Sequence, residues 1–301
     1  INENTKMIKN QNHLGGICMI LSVLFFSLMD VLIKVTHEYD VGQVMFSRAI
    51  FGLIPIFFLI PRERLKNFYK TKYTSLHFYR SFVGAIAMYA IFVGIRNLEL
   101  AEVTSMAFSG PIWVVIFSIL FLGEKIRIKR WIAVGLGFVG VLIISKPGFE
   151  NLNLYYIYPV IFTLGFAGVS IFIRKLTLVG EPVYLIAFYF SICSAIFGLF
   201  TLPFGGWIMP TGYDFVLLIL IGFFGSIANL LLTKSYQLAE VSLTTPLKYL
   251  SLVFAIIFGF YLFNETPTIY TLSGAGLIVI SSAIIFIREH QLKKPITLPR
   301  Q

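Results

Sequence analysis

Ten apolar runs follow one another along this chain. They fall at 14–36, 41–60, 78–98, 101–122, 129–146, 155–174, 182–203, 212–235, 240–263 and 268–287. About 20 apolar residues are needed for a helix to cross the hydrocarbon core of a bilayer, and each run is near that length. Lipid offers no partner for a free backbone N–H or C=O, so runs of this kind are helices rather than open strands. The expected class is therefore an all-α polytopic membrane protein of ten spans. Composition agrees: 57% of residues are hydrophobic and 13% charged, with mean hydropathy +0.85. A soluble domain carries about 25% charged residues, and this chain has too few to coat a globule.

The net charge of +10 does not mark a nucleic-acid surface. The basic residues sit in short gaps between spans, as cytoplasmic loops do. With the N-terminus inside, Lys6, Lys9, the 62–72 cluster, the 125–130 cluster, Arg174, Lys175, Lys234 and the basic C-terminal tail share one side. Only Lys34, Arg96 and Lys146 fall on the other, and the break RNLELAE (96–102), with Arg96, Glu99 and Glu102, is expected at a water interface. This asymmetry predicts cytoplasmic ends and a plasma (inner) membrane protein. Lys6 and Lys9 ahead of the first run resemble a signal peptide's start. The run is too long for a signal core and lacks a small-residue cleavage site, so it reads as a retained span.

The chain repeats itself. Residues 98–104 read LELAEVT and 236–242 read YQLAEVS, which places LAEV twice at an offset of 138. FLGEK at 121–125 and LFNET at 262–266 follow, each ahead of a glycine-containing span. Gly84 matches Gly222, and Lys34 corresponds to Arg174. The expected organisation is a tail at 1–13, one five-helix unit at 14–146, a second at 155–287, and a tail at 288–301. Five spans per unit is an odd number, so the second unit enters the membrane inverted. Inverted repeats are a mark of secondary transporters with a midplane binding site between the halves.

These features resemble the drug/metabolite transporter superfamily, EamA-type, over nearly the whole chain. DVLIK (30–34), MFSRAIFGLIP (45–55), HFYRSF (77–82), SGPIWVV (109–115), LFLGEK (120–125) and KRWIAVGLGFVGVLI (129–143) are more similar to its S-adenosylmethionine transporters. The resemblance implies a secondary carrier working by alternating access on a small metabolite. It further implies S-adenosylmethionine exchanged for S-adenosylhomocysteine. An exporter of amino acids or vitamins is the rival within the superfamily. A non-transporting receptor or assembly subunit is the rival outside it.

A charge at a helix centre costs about 2.5–3.5 kcal/mol on insertion scales, so intramembrane charges are the candidate site residues. Asp30 and Lys34 share a helix face, acid first. Arg48 enters the second span to a depth similar to that of Asp30. A structural pair of Asp30 with Lys34 or Arg48 and a gate or substrate contact using the same residues both fit. Lys248 lies near the midplane with no acid within four residues, which points to an anionic substrate group, a distant acid or a watery cavity. Asn229, Trp113 and Tyr89 fall mid-span, and Tyr249 follows Lys248. Helix contact and substrate contact fit each of them. The implied pose stacks adenine on Trp113, Tyr89 and Tyr249, gives the carboxylate to Lys248 and gives the ammonium to Asp30. Glu124 and Glu265 read as helix-terminal residues or gates. Gly135/Gly137 and Gly274/Gly276 are expected to let helices pack closely, within the chain or in a dimer.

No enzyme motif is present. HFYRSF places His77 at the cytoplasmic edge with no paired acid or nucleophile nearby. Four unpaired histidines give no metal site, and no P-loop lysine motif occurs. Cys18 and Cys193 lie within apolar runs and suggest no disulfide framework. The expected partners are a small-molecule substrate and the lipid bilayer, with no nucleic acid and no cofactor. Monomer and homodimer are both open.

Overall fold

The computed structural model describes residues 2–110, 113, 128–145, 153–238, 247, 248 and 250–291. Most of the fourth span, with Glu124, Lys146, Glu240, Pro246 and Tyr249, lies outside them. The described residues form eleven α-helices and no strand. These are α1 (Asn2–Val35), α2 (Val41–Phe51), α3 (Leu53–Phe58), α4 (Thr74–Asn97), α5 (Leu100–Ala107), α6 (Ile128–Ser145), α7 (Ile157–Leu178), α8 (Val183–Phe200), α9 (Gly212–Leu238), α10 (Leu250–Phe263) and α11 (Ile269–Gln291). Six spans are long and apolar enough to cross a membrane, and α10 and parts of α6 and α11 are shorter apolar helices.

Local chemistry sets several boundaries. Asp40 caps α2, its Oδ1 accepting from Gly42 N at 2.8 Å. The expected second span divides at Gly52 into α2 and α3. A Cβ there would lie 2.6 Å from Arg48 O and 3.2 Å from Gly222 O, so this point is where α9 comes closest. Helix α4 begins at Thr74, four residues before the expected span, which brings His77 into the helix and sets Arg80 deeper within it.

The packing obeys a twofold pseudosymmetry. Pairing α1 with α7, α2/α3 with α8, α4 with α9, α5 with α10 and α6 with α11 relates the two halves. The extensive contact of α1 with α9 then has its counterpart in α4 with α7. Likewise α2 with α9 mirrors α4 with α8. The contacts α2–α8, α5–α10 and α6–α11 map onto themselves. Each half thus packs on the other rather than on itself, as two interleaved inverted units must.

Glycines draw α6 and α11 together, the expected Gly274 among them. A Cβ on Gly140 would meet Gly274 O at 2.8 Å, and one on Gly274 would meet Gly140 O at 2.6 Å. Gly135 and Gly276 have open space. The close approach is intramolecular and uses Gly140 in place of Gly135.

The two largest apolar clusters of the described interior divide the bundle. One gathers Met29, Ile33, Val44, Phe92, Leu98 and Val103. The other gathers Met19, Val23, Ile173, Leu176, Leu232 and Tyr236. Along α1 the change of cluster falls between Val23 and Met29, and along α4 between Val83 and Ala85. Ionisable side chains collect at this join.

Candidate functional site

Five helices contribute to one polar centre inside the bundle. Arg48 comes from α2, Arg80 from α4, Phe190 and Cys193 from α8, Asn229 and Gly225 from α9, and Asp30 from α1. Both guanidiniums approach the same ring: Arg80 Cζ lies 4.1 Å from the Phe190 centroid and Arg48 Cζ 5.5 Å. Phe190 sits mid-way along α8, and the two arginines reach it from different helices, α2 and α4. Gly84 makes room for the ring, since a Cβ there would be 2.9 Å from Phe190 Cε2.

The two arginines are unequally served. Arg48 Nε donates to Met29 Sδ at 3.4 Å and Nη2 to Gly225 O at 3.4 Å, and Asp30 lies within electrostatic reach. Gly225 is required for this placement: a Cβ would be 2.7 Å from Arg48 Nε and 2.6 Å from Met29 Sδ. Arg80 is 2% exposed and makes a single long bond, Nη2 to Asn229 Oδ1 at 3.5 Å. Its Nε and Nη1 have no partner among the described residues. Among the described residues the charged group in electrostatic reach of Arg80 is another cation, Arg48. A desolvated cation–π contact contributes about 2 kcal/mol, and a charge held in the membrane costs about 2.5–3.5 kcal/mol. The ring alone leaves this arginine short. Ser81, Ser194 and Ser226, on α4, α8 and α9, add buried hydroxyls that also lack partners among the described residues.

The residues singled out in the sequence separate into groups. Asp30 makes no direct ion pair with Arg48 or Lys34 among the described residues, though Arg48 is in electrostatic reach. Lys34 instead pairs with Glu265, donates to Leu98 O at 2.7 Å and lies 5.4 Å from the Phe263 centroid. Glu265 Oε2 also accepts from Leu100 N at 2.9 Å. This clamp ties the end of α1 to the start of α5 and to the turn after α10. Lys248 Nζ lies 4.3 Å from the Phe166 centroid and 5.2 Å from that of Tyr236, so aromatic rings supply a compensation that local sequence did not reveal. Asn229 is buried and meets Arg80. Tyr89 is half-buried, with Phe197 at 6.0 Å. Trp113 packs edge-on to Phe138 of α6 at 5.3 Å. Tyr249 is outside the described residues.

Two sequence readings need correction. His77 does have an acid: its Nε2 is 3.2 Å from Glu181 Oε2, 104 positions away in the chain, and its ring stacks on Tyr189 at 4.6 Å. The charged run Arg96–Glu102 does not all lie at a water interface. Glu102 is 4% exposed and accepts from Tyr156 OH at 2.9 Å. Arg96 donates to Thr36 O at 2.9 Å and also to Tyr39 O. Arg80 was missed altogether. The signal available was depth: measured from Thr74, it is as far inside its helix as Arg48 is inside the second span.

Among the described residues no His, Cys, Asp and Glu cluster suits a metal ion. The arrangement can bind a polar small molecule between two halves, and it offers no nucleophile–base pair for covalent chemistry.

Similarity to other proteins agrees with this architecture. A crystal structure with 16% sequence identity superposes with a TM-score of 0.62, covering 93% of this chain and 99% of its own, which supports the fold. An S-adenosylmethionine uptake transporter of Rickettsia felis is 29% identical over 286 residues, 93% of this chain and 95% of that protein. One of Rickettsia bellii is 30% identical over 274 residues, 90% and 92% of the two chains. A riboflavin transporter of Rhizobium johnstonii is 26% identical, covering 93% and 92%. The profile of the EamA-like transporter family matches twice, at residues 13–146 and 153–287, once in each half of the pseudosymmetric bundle. On that double match, and on the all-helical interleaved fold that carries it, the chain belongs to the EamA-like transporter family.

Proposed function

We propose that this protein is a secondary carrier that moves S-adenosylmethionine across the plasma membrane by alternating access, in exchange for S-adenosylhomocysteine. The observation that carries the reading is the polar centre. Charged and amide side chains from both halves meet where the two apolar clusters join, at Asp30, Arg48, Arg80 and Asn229. A carrier needs polarity there and apolar closure on either side. The curated relatives with S-adenosylmethionine in their names support the substrate.

In this reading Asp30 meets the substrate ammonium, and Tyr89 and Asn229 line the adenosine end. Lys248, over Phe166 and Tyr236, forms the wall toward α7. The Lys34–Glu265 clamp is the gate on one face. The proposed orientation puts both termini and the loop at 62–76 in the cytoplasm. A cysteine placed at Lys66 then stays unlabelled by an impermeant thiol reagent added to sealed cells.

Uptake of radiolabelled S-adenosylmethionine into proteoliposomes holding the purified chain tests the substrate. The expected result is saturable uptake, accelerated by internal S-adenosylhomocysteine and blocked by it outside. Uptake blocked instead by riboflavin, or absent while another metabolite is moved, overturns this assignment.

A further inference from the structure

Building on the reading of the chain as a carrier of an amino-acid-type metabolite, we propose that Arg80 and Arg48 form the subsite that binds the substrate carboxylate beside Phe190, with Arg80 as the principal contact. Three observations converge. Arg80 is buried yet has two N–H-bearing nitrogens, Nε and Nη1, without partners among the described residues. A second guanidinium, Arg48, lies over the same ring, so two positive charges share one site. Among the described residues the acid in electrostatic reach is Asp30, and it acts on Arg48. The centre therefore carries an excess of positive charge in a medium that penalises it.

A planar anion resolves this. A guanidinium offers parallel N–H donors in the spacing of a carboxylate, and Arg80 Nε, alongside the second N–H of Nη2, forms an edge suited to a two-point contact. Asn229 fixes the other side of that guanidinium through Nη2. The assignment prefers Arg80 to Lys248, whose ammonium already lies over two rings. It also gives Phe190 a role: the ring holds both cations in place while no substrate is bound. Because Arg80 is closed off at the join of the apolar clusters, the carboxylate reaches it only when one cluster parts.

The test uses the purified full-length carrier and reads the ligand-dependent shift of its thermal midpoint. The probes are S-adenosylmethionine, its decarboxylated form, and a panel of free amino acids with their amides. Wild type is expected to bind S-adenosylmethionine about tenfold to hundredfold more tightly than the decarboxylated compound. Arg80→Gln is expected to remove that preference while binding the decarboxylated compound as wild type does. Arg80→Lys keeps the charge without the fork and recovers part of it. If Arg80→Gln keeps the preference, or weakens both compounds alike, the subsite is wrong and the substrate assignment stands. If wild type ignores S-adenosylmethionine but favours other amino acids over their amides, and Arg80→Gln loses this, the substrate is wrong and the subsite stands. If no carboxylate shifts wild type, both are overturned.

Discussion

Lys34 and Arg80 are both cations inside the bundle, and their surroundings are opposite. Lys34 has a carboxylate, a carbonyl oxygen and a ring around its ammonium. Its partner Glu265 is also used twice, by Lys34 and by Leu100 N. Arg80 is more deeply buried and has a ring and one long bond to Asn229. A charge whose valences are filled by protein contributes to holding a conformation. A charge left with open donors is a poor structural element and a good binding one. In the proposed reading, closure belongs to the rim and recognition to the centre.

The largest effect should come from breaking the rim. Lys34→Gln leaves Glu265 with its side chain 13% exposed and without its cation. Removing one partner of a buried pair costs about 3–5 kcal/mol. The double variant with Glu265→Gln should recover much of this, which a double-mutant cycle of unfolding free energies reads directly. Additive losses would remove Lys34 from the clamp.

Next in size is Gly225→Ala. Its Cβ would fall 2.7 Å from Arg48 Nε, displacing the guanidinium from its ring and its carbonyl. Overpacking of this kind costs about 1–3 kcal/mol. The loss should be smaller when Arg48→Gln is already present. An equal loss in both backgrounds would mean that Arg48 does not depend on Gly225.

Asp30 and Arg48 sit between the two extremes, in electrostatic reach without direct contact. The cycle of Asp30→Asn and Arg48→Gln should show coupling of about 1 kcal/mol, well below that of the clamp. Coupling as large as the clamp's would make them a structural pair. The smallest stability effect belongs to Arg80→Gln, within about 1 kcal/mol of wild type, since the lost ring contact is offset by the lost burial penalty. Severe destabilisation in the absence of ligand would turn Arg80 into a structural residue and erase the contrast.

Much of the architecture was legible in the sequence. Span length and the LAEV repeat announce two five-helix units, because bilayer thickness and covalent order both act along the chain. Partnership does not act along the chain. Lys34 was read beside Asp30, four residues away, but its acid is Glu265, on a turn of the other half. His77 looked bare because Glu181 follows α7. Arg80 was overlooked because the apolar run seemed to start at residue 78, which placed it at an edge; the helix starts at Thr74, which sets Arg80 well inside it. Trp113 drew attention by its mid-span position, yet its ring packs on Phe138. Depth can be counted from a sequence, but which face of a helix meets which neighbour cannot.

The division of labour between rim and centre is tested most directly by transport kinetics. Initial rates of S-adenosylmethionine uptake would be measured over a range of concentrations in proteoliposomes carrying wild type, Lys34→Gln or Arg80→Gln. Arg80→Gln should raise KM about tenfold or more, because it removes a charge-assisted contact. Lys34→Gln should leave KM within about twofold and change the maximal rate instead, because it alters the balance of open and closed states and not the contacts to substrate. A raised KM in Lys34→Gln together with an unchanged KM in Arg80→Gln would contradict the account.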